Sequence, residues 1–172
     1  MQNRIDATLA RLRGEGKQAL VPFLTIGFPD IPTSEAMATA VLESGADMLE
    51  LGVPFSDPLA EGPTIQMTSL RALRNGVTLD TLLEIVTRLR GNHPHAPLVL
   101  MGYYNPFLRV GLEAFARRAS DAGVDGVIVP DLPTEESGEF KDACEGHGIH
   151  LIPLLAPTSS DARIEAACKG AR

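Results

Sequence analysis

The chain has 172 residues, 44% hydrophobic and 22% charged, a size and balance that fit one domain over residues 1–172 and exclude disorder. Its net charge of -7, without a Lys/Arg cluster, argues against nucleic acid as a partner. No apolar run approaches the ~20 residues that cross a bilayer, and residues 1–13 hold Arg4, Arg11 and Arg13 without an apolar segment, so neither a membrane nor a secretory signal is expected and the reading is cytoplasmic.

In chain order, an N-terminal helix over residues 3–13 precedes a first strand at 19–25. A helix beginning at Thr33 or Ser34 and stopped by Gly45 follows, then a second strand at 47–51. The long gap 52–97 holds two helices: Pro63–Arg74, and a second one capped by Thr78. The second has Leu79, Leu82, Leu83 and Val86 on one face and a stop at Gly91. A third strand at Leu98–Met101 leads into a helix with Leu112, Phe115, Ala116 and Ala119 on one face, ended by Gly123. A fourth strand at 126–129, a helix ending at Gly146, a fifth strand at 149–154 and a last helix starting at Ser159 or Ser160 complete the pattern. Cys144 and Cys168 form no CxxC or metal-type spacing and read as reduced thiols. His93, His95, His147 and His150 fall in connections or at a strand start, where solvated or capping roles are expected.

Strands this short and this continuously apolar belong to a parallel sheet covered on both faces. The turn after the first strand, Ile26-Gly27-Phe28-Pro29-Asp30, lacks the Gly-rich phosphate fingerprint of a doubly wound sheet. The expected fold is therefore α/β of the (β/α)8 TIM-barrel type. A closed barrel of this kind takes ~250 residues, and the sequence supplies about five βα units plus the N-terminal helix. The barrel is expected to be incomplete, with free sheet edges that invite association.

On this fold the strand ends share one face: Phe28-Pro29-Asp30, Glu50-Leu51-Gly52, Tyr103-Tyr104-Asn105, Pro130-Asp131 and Ala156-Pro157-Thr158. The stretch LELGVPFSDPLAEGPTIQ over residues 49–66, with three prolines after a strand, predicts a long structured loop. Glu50 lies between Leu49 and Leu51, where an ionised carboxylate is costly without a partner. It is either a buried salt bridge or strand-end cap, or a carboxyl of raised pKa suited to moving protons near neutrality. Glu61, in the loop, is a second acid able to fold back beside it, and two carboxyls in unlike environments can divide acid and base work.

The 49–66 stretch, MGYYNP at 101–106, VPDLP at 129–133 and the run 19–27 before Phe28-Pro29-Asp30 occur in collinear order over essentially the whole chain. Together they closely resemble the tryptophan synthase alpha subunit family. The resemblance implies a carbon–carbon lyase of tryptophan biosynthesis. Its reaction is the retro-aldol cleavage of indole-3-glycerol phosphate to indole and glyceraldehyde 3-phosphate, without a metal or organic cofactor. Pyridoxal phosphate then belongs to a partner beta subunit in an alpha2-beta2 heterotetramer. Glu50 matches the family's acid/base glutamate. Glu61 matches its second carboxylate, typically an aspartate that accepts from the indole N–H, with one methylene more. Phe23, Ile65, Met101 and Ile128 match the apolar wall around indole, or fill the barrel. Tyr103 and Asp131 match substrate-pocket positions, or serve as turn and cap residues. Pro54, Asp57 and Asn105 match the surface that meets the beta subunit. The family's phosphate loops and flexible catalytic loop follow later strands, so the chain alone is expected to be weak or inactive. The alternative is an inactive half-barrel-like fragment acting as a folding or association module.

Overall fold

The structure, a computed structural model, describes residues 3–170; residues 1–2 and 171–172, at the ends of the expected domain, lie outside the described residues. Helix α1 (Arg4–Gly14) is capped by Asn3, whose side chain accepts from the Ile5 N–H at 2.8 Å and donates to the carbonyls of Asp125 and Gly148. Strand β1 covers Phe23–Thr25, shorter than the expected 19–25. Pro22 has no N–H for a ladder, yet the Leu20 and Pro22 carbonyls still accept from Asp47 and Glu50. Helix α2 (Ile31–Glu43) starts earlier than expected. Asp30, not Thr33 or Ser34, is its cap and accepts from the Thr33 N–H at 2.8 Å, a bond that lowers the Asp30 pKa. Ser34 turns inward and accepts from the Gly27 N–H instead.

Strand β2 (Leu49–Gly52) is followed by α3 (Pro63–Arg74), with proline in its first turn, and by α4 (Leu79–Asn92), capped by Thr78 as expected. After β3 (Leu98–Met101) come two helices, not one: α5 (Tyr104–Val110) and α6 (Leu112–Ala122). The unexpected α5 starts where the sequence suggests only a strand end, and its Tyr104 N–H is satisfied by Asp131 Oδ1 at 2.9 Å. Strand β4 (Gly126–Ile128), a 3-10 turn (Thr134–Glu136) and α7 (Gly138–Gly146) lead to β5 (His150–Ile152) and α8 (Asp161–Gly170). Strand β5 also falls short of 149–154, ending before Pro153.

All strand pairs are parallel and the sheet order is β1-β2-β3-β4-β5, the sequential neighbour pattern of a (β/α) barrel over five units. Register aligns Phe23, Glu50, Val99, Gly126 and His150 in one row, and Thr25, Gly52, Met101, Ile128 and Ile152 in the next. These rows form the inner face, where Val99, Ile128 and Ile152 pack with Ile5 and Met48. The alternate residues Leu49, Leu51, Leu98, Leu100 and Val127 face the helices and pack with Leu82, Ile85, Val86, Leu89, Phe115 and Phe140. Phe107, Phe115 and Phe140 meet there with ring centroids 4.4–5.7 Å apart.

One buried carboxylate ties the lower ends of the strands together. Asp125, 2% exposed, accepts from Arg4 Nη1 at 2.9 Å, Arg90 Nη2 at 2.6 Å and the Leu98 N–H at 2.9 Å. Arg90 also donates to the carbonyls of Gly123, His93 and Ala96, and its burial pulls its pKa below the ordinary guanidinium value. Gly123 makes the approach possible. Its φ is 96°, and a Cβ there would lie 2.7 Å from Arg90 Cγ. Two of the four histidines are paired, His147 with Glu113 at 2.7 Å and His150 with Asp6 at 3.1 Å, while His95 is exposed. Cys144 is buried on α7, with its thiol pushed up to about 12, and Cys168 is exposed on α8; both are free thiols.

Breaking a buried ion pair by neutralising one partner costs about 3–5 kcal/mol, because the other charge stays buried. Asp125→Asn keeps the side-chain shape and leaves Arg90 uncompensated. We expect a loss of that order in urea unfolding, and an Asp125→Asn midpoint equal to the parent's would contradict this account.

Candidate active site

Glu50 projects from β2 into the inner row, with Phe23 on one neighbouring strand and Val99 on the other. Its chain neighbours Leu49 and Leu51 are fully buried on the opposite face, while Glu50 itself is half-buried. Among the described residues its carboxyl has no hydrogen-bond or ion-pair partner, and burial alone pushes its pKa up. Of the two readings open in the sequence, neither salt bridge nor cap is present. The structure shows a half-buried carboxyl that resists losing its proton.

The loop 53–62 returns across the strand ends. It is fastened at its start by the Val53 N–H to the Met101 carbonyl at 2.8 Å. Further on, Tyr103 Oη accepts from the N–H groups of Leu59 and Ala60, each at 2.8 Å, and donates to Glu61 Oε2. The Tyr103 ring stacks on Phe55 with centroids 5.1 Å apart, and the Glu61 carbonyl accepts from Gln66 Nε2. Burial and the adjacent Glu61 raise the Tyr103 pKa, so the phenol keeps its proton.

Phe23, Gly52, Phe55, Glu61, Ile65, Met101 and Tyr103 line one small cleft at this end of the sheet. Gly52 has a steric reason. A Cβ there would lie 2.5 Å from Phe23 Cζ, so the phenyl ring lies over the space where a side chain would stand. A neighbouring cleft shares Phe23 and Ile65 and runs to Phe28, Met37 and Thr68. The structure thus brings five expected residues together with Glu50 in the adjoining row: Phe23, Glu61, Ile65, Met101 and Tyr103. Ile128 does not line this cleft and packs with Val99 and Met48 on the inner face. Asp131 is exposed and holds the α5 start. Pro54 is buried, whereas Asp57 on the loop and Asn105 in α5 are exposed. A larger cavity of about 300 Å³ between β4, β5, α7 and α8 is walled by Val129, Leu132, Leu151 and Ala167. It includes neither Glu50 nor Glu61.

A family model described as "Tryptophan synthase alpha chain" matches residues 9–172. A tryptophan synthase alpha chain from Geobacter sulfurreducens is 52% identical over 170 residues, covering 99% of this chain and 64% of the relative. The crystal structure of tryptophan synthase subunit alpha from Legionella pneumophila superposes with a TM-score of 0.97 at 40% identity, over 99% of this chain and 65% of that one. A tryptophan synthase structure from M. tuberculosis matches with a TM-score of 0.94 at 38% identity, over 100% of this chain and 68% of that one. The chain spans less than two thirds of the length of the curated relatives it matches.

The raised Glu50 pKa has a consequence for stability. The folded state holds this proton more tightly than the unfolded chain, so stability falls as pH rises from the ordinary carboxyl value through the raised one, and stays lowered above it. Glu50→Gln is expected to stabilise the fold more at pH 8 than at pH 4. Denaturant midpoints of both proteins at the two pH values test this; an equal difference at both removes the burial argument.

Proposed function

Because the chain belongs to the tryptophan synthase alpha chain family, we propose that it is a carbon–carbon lyase cleaving indole-3-glycerol phosphate to indole and glyceraldehyde 3-phosphate. The observation that carries the reading is the unpaired, half-buried Glu50 carboxyl of raised pKa next to a cleft that also holds Glu61. A carboxyl with a pKa nearer neutrality keeps a protonated fraction and can act as general acid. Glu50 gives its proton to indole C3, which places positive charge on the ring. Glu61 accepts the hydrogen bond from the indole N–H as that charge develops. The C–C bond then breaks, its electron pair returning to the indole ring. The glycerol hydroxyl becomes the aldehyde carbonyl and passes its proton to the Glu50 carboxylate, which restores the starting state.

Phe23, Ile65 and Met101 supply the apolar wall of the cleft, and Ile128 continues it into the inner face. Asp131 contributes by fixing the α5 start beside Tyr103. These proton transfers call on no metal or organic cofactor of this chain; pyridoxal phosphate belongs to the beta subunit. That subunit is the proposed partner in an alpha2-beta2 assembly, met through the exposed Asp57 on the loop and through Asn105, while the buried Pro54 shapes the loop's start and does not face a partner. Leu59, 84% exposed at the loop tip, gives this surface an apolar contact. The purely associative reading has no feature of its own at the site, where Glu61 lines the cleft and Glu50 lies beside its Phe23 wall.

In a full-length context and with a beta subunit, Glu50→Gln is expected to lower the rate of indole release by about 100-fold or more. A near-parental kcat would remove Glu50 from the mechanism. Glu61→Asp should preserve or raise activity and Glu61→Ala should lower it strongly; equal rates in all three would make residue 61 a loop position only. Size-exclusion chromatography at micromolar concentrations should show co-elution with the beta subunit, weakened by Leu59→Asp, and unchanged elution would count against the loop surface.

A further inference from the structure

We infer that Tyr103 is a positioning residue that holds the Glu61 carboxylate in place for the indole N–H, and not a substrate ligand in its own right. The inference rests on the proposed function for what Glu61 accepts, but the holding geometry is independent of it. A phenol has one proton and two lone pairs. Both lone pairs of Tyr103 Oη are occupied, by the Leu59 and Ala60 N–H groups at 2.8 Å each, and the proton goes to Glu61 Oε2. Donation to a substrate would require letting Glu61 go. The phenol itself has little freedom: Tyr103 is 3% exposed, its ring is stacked on Phe55, and its backbone forms the start of α5.

Glutamate has one more rotatable bond than aspartate, and that freedom works against a fixed acceptor. Here Glu61 is held at two points, its carbonyl by Gln66 Nε2 and its carboxylate by Tyr103 Oη. One oxygen is tethered and the other, Oε1, is left to accept. The position of the acceptor is therefore set from β3, through Tyr103, as well as by the loop. The raised Tyr103 pKa supports this, since the phenol stays a donor over the whole neutral range.

The sequence offers a direct probe, because the chain has no tryptophan and only two tyrosines. Tyr104→Phe, at a ring that packs on Phe140, leaves Tyr103 as the sole phenol. Ultraviolet titration of that protein reads its ionisation directly. Adding Glu61→Gln removes the neighbouring negative charge, and we expect the midpoint to move down toward the ordinary phenol value; an unmoved midpoint overturns the pairing. In assays with a beta subunit, Tyr103→Phe is expected to lower kcat about tenfold or more through misplacement of the acceptor, with KM for indole-3-glycerol phosphate near parental. The same substitution should add little once Glu61→Gln is present. A change confined to KM, or a full further loss in the Glu61→Gln background, overturns the positioning role. If the unsubstituted protein, in a full-length context with a beta subunit, releases no indole, the proposed function fails, while the titration still decides whether Tyr103 holds Glu61.

Discussion

The parallel register of β1, β2 and β3 is the constraint on which the candidate site depends. Alternation along β2 sends Leu49 and Leu51 to the helix layer and Glu50 to the inner face. A slip of one residue would exchange them. Four leucines, Leu49, Leu51, Leu98 and Leu100, are fully buried on the helix side of these two strands, and each contributes about 1.5–3 kcal/mol. That packing outweighs the discomfort of one half-buried carboxyl. Apolar burial on one face of the sheet is what keeps an acid in an unfavourable place on the other.

Two carboxyls on adjacent levels of the sheet are treated in opposite ways. At the lower end Asp125 is more deeply buried than Glu50 but is fully compensated by Arg4, Arg90 and the Leu98 N–H. On the inner face, in the row that includes Gly126 next to Asp125, Glu50 has no such partner among the described residues, and its proton is correspondingly hard to remove. A compensated carboxylate holds elements together; an uncompensated one is left with reactivity.

Much of this was legible in the sequence because it depends on local pattern. The five apolar runs, the Thr78 cap and the helix Pro63–Arg74 were all found from spacing alone, and Glu50 was conspicuous as an acid between two leucines. The misses have physical causes. Pro22 and Pro153 shorten β1 and β5 by removing ladder donors without changing the apolar run that marks them. The Asp30 cap is masked in the sequence by Thr33 and Ser34, equally good cap types that stand close by. Helix α5 is only seven residues long and draws on Asp131, distant in sequence, to complete its first turn. Arg90 and Asp125, or Tyr103 and Glu61, have no sequence spacing that marks them as partners; only the folded sheet brings them together.

The bonds at Tyr103 Oη also change what exposure means for the loop. Leu59 is the most exposed large apolar side chain described, yet its backbone N–H is taken up by a buried phenol, as is that of Ala60. Amide hydrogens on such a loop would ordinarily exchange with water at once. Here two of them are shielded by the same oxygen that holds Glu61, so their exchange with deuterium follows a single opening event. Slow, matched exchange at residues 59 and 60 is a clock for how often the acid is released.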